Sequence, residues 1–380
     1  MSLKNNILLI SHSSNISGGG EDDYLRLIKF LYGKYHIYAI FPEGPKVEEF
    51  KKYSDKFVVV PDKIFPIDGF SLSEYFIFIY RSIIKICRII VFLEFNRDVN
   101  VAFVNSSVSF IEAFLLNLYK IPFVVSIKEK INPSFIRKII LRYYKNKAKK
   151  IIVISEYLKN IYIKDTKSKN VEIIYSSLDY DQYFNFKKTQ TLNILSEKKF
   201  TVLNIGSFNK NKNQLFLLEA LKSISCVNDF KVKMFGRVAD KKYFKKVLNN
   251  IEKYNLFKIV ELSDEISKIK MFRELYNCDC IVITSKEEGM SLVLLEGLFF
   301  EKPVISTPVG IVPDIINNLE NGFIIPHDDS NKLSNILVEL KNNKLLYNKI
   351  KKTEFETYCT HFDLNKSLKK YENTLLNAII

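Results

Sequence analysis

Short apolar runs alternate with helical patterns along nearly the whole chain. Runs rich in Ile, Val and Phe fall at 7–11, 36–41, 56–60, 99–104, 123–127, 151–154 and 171–175. A second series follows at 201–205, 231–235, 259–262, 280–284, 304–307 and 322–325. Between them lie stretches with helical patterning, among them 21–32, 213–224, 241–254, 267–277, 291–300, 313–319 and 331–342. Strands separated by helices require crossovers, so the pattern predicts an α/β fold with parallel sheets. A chain of 380 residues exceeds the size at which one core stops growing. Two doubly wound domains are therefore expected, divided as 1–185 and 200–355, with a polar connector over 186–199. A final segment, 356–380, is expected to carry a helix over 362–380 that returns to the first domain. In such sheets ligands bind beyond the carboxyl ends of the strands, which places the candidate site in a cleft between the two halves.

Composition narrows the partners. Lys and Arg number 57 against 42 Asp and Glu, a formal charge of +15, which favours anionic ligands such as nucleotides, nucleic acid or acidic lipid. No helix-turn-helix, zinc-finger or RRM signature supports nucleic acid, and none is expected. The five cysteines follow no secreted spacing, and Cys278-Asp-Cys280 lacks a second pair, so neither disulfides nor zinc are expected. The first residues lead straight into the 7–11 run with no signal-peptide pattern. A cytoplasmic protein is expected.

The residues best placed for chemistry cluster after strands. Glu288-Gly-Met-Ser-Leu-Val-Leu-Leu-Glu296 sets two carboxylates around a glycine turn between an apolar strand and an apolar helix. On one helix they would stand about 12 Å apart. With Glu288 on the loop and Glu296 on the helix, they instead flank free helix N–H groups able to hold phosphate or sugar oxygens. Gly206-Ser-Phe-Asn-Lys-Asn-Lys212 follows the first strand of the second series, and Lys212 adjoins the next helix, where its charge would neutralise a diphosphate. Gly18, Gly19 and Gly20 follow the first strand in the same way, though not as G-x-G-x-x-G or a P-loop. His12 stands after the same strand.

Taken in order, these elements resemble the retaining glycosyltransferases of the GT-B fold, family 4. The resemblance rests on Glu288 and Glu296, on Lys302-Pro-Val-Ile-Ser-Thr-Pro-Val-Gly310, on Asn321-Gly-Phe-Ile-Ile325, on Gly206 to Lys212 and on Gly19-Gly20-Glu21. It implies a GT-B fold of two Rossmann-like domains and a nucleotide-sugar donor, UDP- or GDP-linked. It also implies a saccharide or lipid-linked acceptor, in surface polysaccharide or glycolipid synthesis. Glu296 would bind the donor ribose. Glu288 would face the transferred sugar with the backbone of Gly289, Met290 and Ser291, and Lys212 would hold the diphosphate. Gly19, Gly20, Gly206 and Ser207 would line the donor path. The sequence departs from the pattern at Ser207, where many relatives carry Arg, and at Lys128-Glu129, where many carry His-Asp. No metal and no other cofactor are expected. Two other readings stay open: a GT-B nucleotide-sugar epimerase, and a nucleotide-sugar or nucleic-acid binding protein without transfer activity.

Two basic, apolar helices have no place in that site. Within 75–93 the run is almost wholly apolar except for Arg81, Lys85 and Arg88, at i, i+4 and i+7. Three cations exclude a membrane span but not an interfacial helix. Within 134–150 stand seven basic residues, no acid, and Phe135, Tyr143 and Tyr144. The segment 75–93 is read either as a core helix of the first domain or as an interfacial helix, and with 134–150 it is a candidate contact for an anionic membrane surface.

Overall fold

Strand pairing follows the apolar runs closely. The computed structural model describes residues 4–15, 19–62, 72–130, 134–167, 170–189 and 199–379. Gly18 and the later half of the expected connector lie outside that set. The first sheet comprises β1 (Asn6–Ile10), β2 (His36–Pro42), β3 (Lys56–Val60), β4 (Val101–Val104), β5 (Phe123–Ile127), β6 (Lys150–Val153) and β7 (Val171–Ile173). The second comprises β8 (Phe200–Ile205), β9 (Phe230–Phe235), β10 (Val260–Ser263), β11 (Cys280–Ile283), β12 (Val304–Ser306) and β13 (Phe323–Ile324). Their orders are β3-β2-β1-β4-β5-β6-β7 and β10-β9-β8-β11-β12-β13, with every pairing parallel. β1, β4, β8 and β11 lie near the middle of their sheets and are mainly apolar, Asn6, Thr201 and Asn204 aside, because helices cover both faces. Each fully buried Ile, Val or Leu there contributes about 1.5–3 kcal/mol.

The order reverses between β1 and β4 in one sheet and between β8 and β11 in the other. These switch points are where a doubly wound sheet opens a ligand crevice at its strand ends. The chain divides into two compact units, Met1–Ser176 with Asn365–Ile380, and Ser177–Leu364. In the first unit the final helix, Leu364–Asn377, packs Tyr371 against Phe103, and its Glu372 accepts from the Tyr35 hydroxyl.

Helix limits follow local chemistry. Asp240 caps Lys241–Lys253 by accepting from the Tyr243 amide, and Tyr243, Val247 and Ile251 line the buried stripe. The helix expected over 313–319 is cut to Val312–Ile315. There the Asn321 side chain accepts from the Asn317 amide and donates to the Ile315 carbonyl, taking groups a longer helix would pair. The polar stretch expected as connector begins with a helix, Tyr180–Thr189, that belongs to the second unit. An unforeseen helix, Lys344–His361, starts where Asn343 breaks the preceding one and caps the next.

Candidate functional site

The β8–β11 switch point gathers the expected residues of the second unit. Gly206 ends β8, and a side-chain carbon there would lie 3.1 Å from the Lys212 stem, so glycine lets that lysine fold back over the strand end. Lys212 Nζ donates to Glu288 Oε1 at 2.8 Å, and Ser285 Oγ donates to the same oxygen at 2.6 Å. The loops bearing Lys212 and Glu288 are clipped together. Asn211 donates to the Glu287 carbonyl and accepts from its amide, and Thr284 Oγ1 donates to the Lys212 carbonyl at 2.7 Å. Thr307, after β12, donates to the Ser285 carbonyl at 2.6 Å. Gly310 then presses its backbone on Glu288 and Gly289. At φ 54° it adopts the left-handed region, and a side-chain carbon would stand about 3 Å from both of their carbonyl oxygens.

Glu296 lies one turn into the helix Leu292–Phe299, which opens at Ser291 with no side-chain cap. Its carboxylate is 5% exposed and accepts from the Tyr183 hydroxyl at 2.7 Å. Burial pushes its pKa up to about 7, against smaller downward pulls from the Tyr183 hydroxyl and the Lys268 ammonium. Gly289 and Met290 are part-buried between the two glutamates, and Ser291 is buried. The arrangement offers one cation, two carboxylates and an uncapped helix start within one unit.

Ser207 has a different role from the arginine of the family pattern. It is part-buried, and its carbonyl, like that of Gly206, accepts from Gln214 Nε2. Arg237 is exposed at the end of β9, and its carbonyl accepts from the Phe208 amide. Three residues escaped the sequence reading. Tyr183 could have been suspected from the aromatic spacing of Tyr183 and Phe186, while Ser285 and Thr284 carry no signal beyond their place at a strand end.

In the first unit the expected side chains are already engaged. Lys128 Nζ pairs with Asp23 Oδ2 at 3.0 Å, and Asp23 also binds Arg26 at 2.7 Å and the Ser176 hydroxyl at 2.5 Å. Burial alone would raise the Asp23 pKa, but Lys128, Arg26 and Ser176 together hold it below its ordinary value. Glu129 accepts from the hydroxyls of Ser106 and Ser107 at 2.8 and 2.7 Å. Gly19 and Gly20 form the first turn of the helix Gly19–Leu31 instead of a free turn. Gly20 lies against the His12 ring, and its carbonyl accepts from Asn105 Nδ2 at 2.9 Å. His12 Nε2 stands 3.9 Å from Glu21 Oε1.

The basic helices also differ from expectation. In the helix Leu72–Glu94, Lys85 is buried in an ion pair with Glu112, Arg81 pairs with Glu43 at 3.3 Å, and Arg88 donates to the Val59 carbonyl at 2.9 Å. The cations face their own unit, and Phe76, Ile77, Tyr80, Ile83 and Val91 face outward. The basic segment ends as the helix Ser134–Lys147, and Lys150 begins β6. Tyr143 and Tyr144 turn inward to the carbonyls of Ala113 and Ser107, whereas Phe135, Ile136 and Ile139 are exposed beside Lys138 and Arg142. Among the described residues no helix is long and apolar enough to cross a membrane, and no cluster of His, Cys, Asp or Glu suits a metal ion.

Two parallel doubly wound units of this order constitute the GT-B architecture of glycosyltransferases. Residues 186–357 match the sequence profile of glycosyl transferases group 1. An uncharacterized glycosyltransferase of Methanocaldococcus jannaschii is 29% identical over 246 residues, 62% of each chain. The N-acetyl-alpha-D-glucosaminyl L-malate synthase of Bacillus anthracis is 21% identical over 214 residues, 56% of this chain and 55% of that one. The chain thus spans about three fifths of the length of these relatives. Among solved structures, Anabaena HepE in complex with UDP superposes with a TM-score of 0.79 at 16% identity, covering 98% of this chain and 100% of that one.

Proposed function

We propose that this protein is a retaining glycosyltransferase. It moves a sugar from a nucleotide-sugar donor to a saccharide or lipid-linked acceptor in surface polysaccharide or glycolipid synthesis. The observation that carries the reading is the convergence of Lys212, Ser285, Glu288 and Gly310 at one switch point, with Glu296 on the helix that follows. UDP is the first nucleotide to test, because the similar HepE fold has been seen with UDP and with UDP-glucose.

In this reading Glu296 binds the ribose hydroxyls, and the diphosphate lies over the open amides before Leu292. Lys212, released from Glu288 or shared with it, takes the charge that grows on the diphosphate as the glycosidic bond breaks. A preorganised donor of this kind is worth about 3–4 kcal/mol of barrier. Glu288, held by Ser285, orients the hydroxyls of the transferred sugar. No side chain at the site is placed as a covalent nucleophile in this proposal. The electron pair of the breaking bond leaves with the diphosphate, the acceptor oxygen forms the new bond on the same face, and its proton passes to a departing phosphate oxygen.

The outward apolar face of the helix Leu72–Glu94 and the Phe135, Ile136, Ile139, Lys138 and Arg142 surface are proposed to dock on an anionic membrane, where a lipid-linked acceptor resides. Basic residues near such a surface contribute about 1 kcal/mol each. The test of the donor assignment is thermal stabilisation by UDP, GDP, ADP and their sugars, followed by transfer assays with the stabilising donor. A ligand at 100 times its Kd adds about 2.7 kcal/mol. A protein stabilised by none of them would contradict the proposal.

A further inference from the structure

We infer that Tyr183 is a positioning residue for Glu296: its hydroxyl fixes one carboxylate oxygen and leaves the other for the hydroxyls of a nucleotide ribose. The inference rests on the reading of Glu296 as the ribose-binding group. Tyr183 is 3% exposed, and its ring lies 4.3 Å from Phe272, 5.5 Å from Phe299 and 5.9 Å from Phe300, centroid to centroid. Enclosed in this way, the ring has no room to swing, so its hydroxyl is a fixed donor. A carboxylate bound at one oxygen by a fixed donor keeps its plane and presents the other oxygen in one direction. Glu288 is held in the same manner, by Ser285 on Oε1. The two carboxylates therefore share a design, each steadied by a hydroxyl.

The surroundings of Glu296 hold few other charges. The helix Tyr180–Thr189 brings Tyr183 and Lys187, and Lys187 is already paired with Glu301. The helix Lys268–Asn277 brings Lys268, whose ammonium stands 5.8 Å from the Tyr183 ring. The helix Lys344–His361 brings Tyr358 and the buried Glu354, whose pKa burial raises well above the ordinary carboxylate range. Strands β11 and β12 bring no charge. Tyr183 is thus the hydrogen-bond donor that favours the ionised form of Glu296, which is the form that accepts two ribose hydroxyls.

The test is UDP binding by calorimetry between pH 5.5 and 8.5, a window of about 1.5 units either side of the Glu296 pKa of about 7. In the wild type, affinity should rise with pH through that value as Glu296 ionises. Tyr183→Phe should shift the midpoint upward and weaken binding about tenfold at pH 7, in keeping with loss of a hydrogen bond to a charged group. Glu296→Gln should bind weakly and keep only the pH dependence that the ionising UDP phosphate itself brings, and adding Tyr183→Phe to it should change nothing further. Wild-type affinity and midpoint in Tyr183→Phe would overturn the inference. So would a loss that is equal at every pH and persists beside Glu296→Gln, since that marks packing alone. If Glu296→Gln itself binds UDP as the wild type does, the ribose-binding role fails and the inference falls with it.

Discussion

The strand ends at the switch point of the second sheet and the end of β5 in the first both carry a lysine and a glutamate, and use them differently. After β8 and β11, Lys212 and Glu288 meet beside an uncapped helix start, and the surrounding hydrogen bonds come from Asn211, Thr284, Ser285 and Thr307. After β5, one strand beyond the β1–β4 switch point, Lys128 and Glu129 also follow a strand, and each is engaged by partners within its own unit. Polar groups steadied by hydroxyls and backbone, Glu129 as well as Glu288, can still change partners. A lysine bound to a carboxylate that also holds an arginine and a serine cannot do so cheaply. A charged residue at a strand end is therefore a candidate ligand group only when the rest of its unit leaves it available.

The largest effects should fall on the second unit. Lys212→Ala or Glu288→Ala should lower kcat about 100- to 1000-fold, the scale for losing one preorganised group, with unfolding temperature little changed. Wild-type kcat in both variants would remove the site from β8 and β11. Lys128→Met should act oppositely, through stability. It strips Asp23 of its main cation, so unfolding free energy should drop by about 3 kcal/mol. Asp23 has a lowered pKa, so its contribution is present above its unfolded pKa of about 3.9 and is lost as pH falls through the folded value. Lys128→Met should lose that acid-side dependence. An unchanged unfolding temperature with a raised acceptor KM would instead make Lys128 a substrate contact.

The strands and most helices were legible because period and punctuation are local. The spacing of Tyr243, Val247 and Ile251 after the Asp240 cap, or the Gly289 turn before an apolar helix, can be read in a short window. The placement of Glu288, Glu296 and Lys212 around one switch point was legible for the same reason, since each sits at a fixed offset from a strand. What escaped depends on distance in sequence. Tyr183 reaches Glu296 across 113 positions, and Ser176 reaches Asp23 across 153. The inward turn of Arg81, Lys85 and Arg88 was hidden because a shared helix face does not say which way it points. The buried Glu112 decides that, from another helix.

Two smaller effects separate the units further. Glu354, buried in the second unit, has its pKa pushed far up by burial, against a weaker pull from the Val304 backbone. A raised carboxyl contributes stability that is complete below its unfolded pKa of about 4.3 and is lost as pH rises toward the folded value. Glu354→Gln should therefore be the more stable protein at pH 8, by about 1–2 kcal/mol in denaturant titration, and nearly equal at pH 4. On the first unit, Ile136→Glu with Ile139→Glu should reduce binding to vesicles containing anionic lipid several-fold at low salt, leaving UDP binding alone. Undiminished vesicle binding would move the docking surface elsewhere.

The second unit is proposed to hold the donor nucleotide through Lys212 at the diphosphate and Glu296 at the ribose. This is tested most directly by measuring the Kd of UDP and of uridine for the wild type, Lys212→Ala and Glu296→Gln. The account predicts that Lys212→Ala weakens UDP about tenfold or more and leaves uridine almost unaffected, whereas Glu296→Gln weakens both. Binding of UDP with one Kd in all three proteins would contradict it.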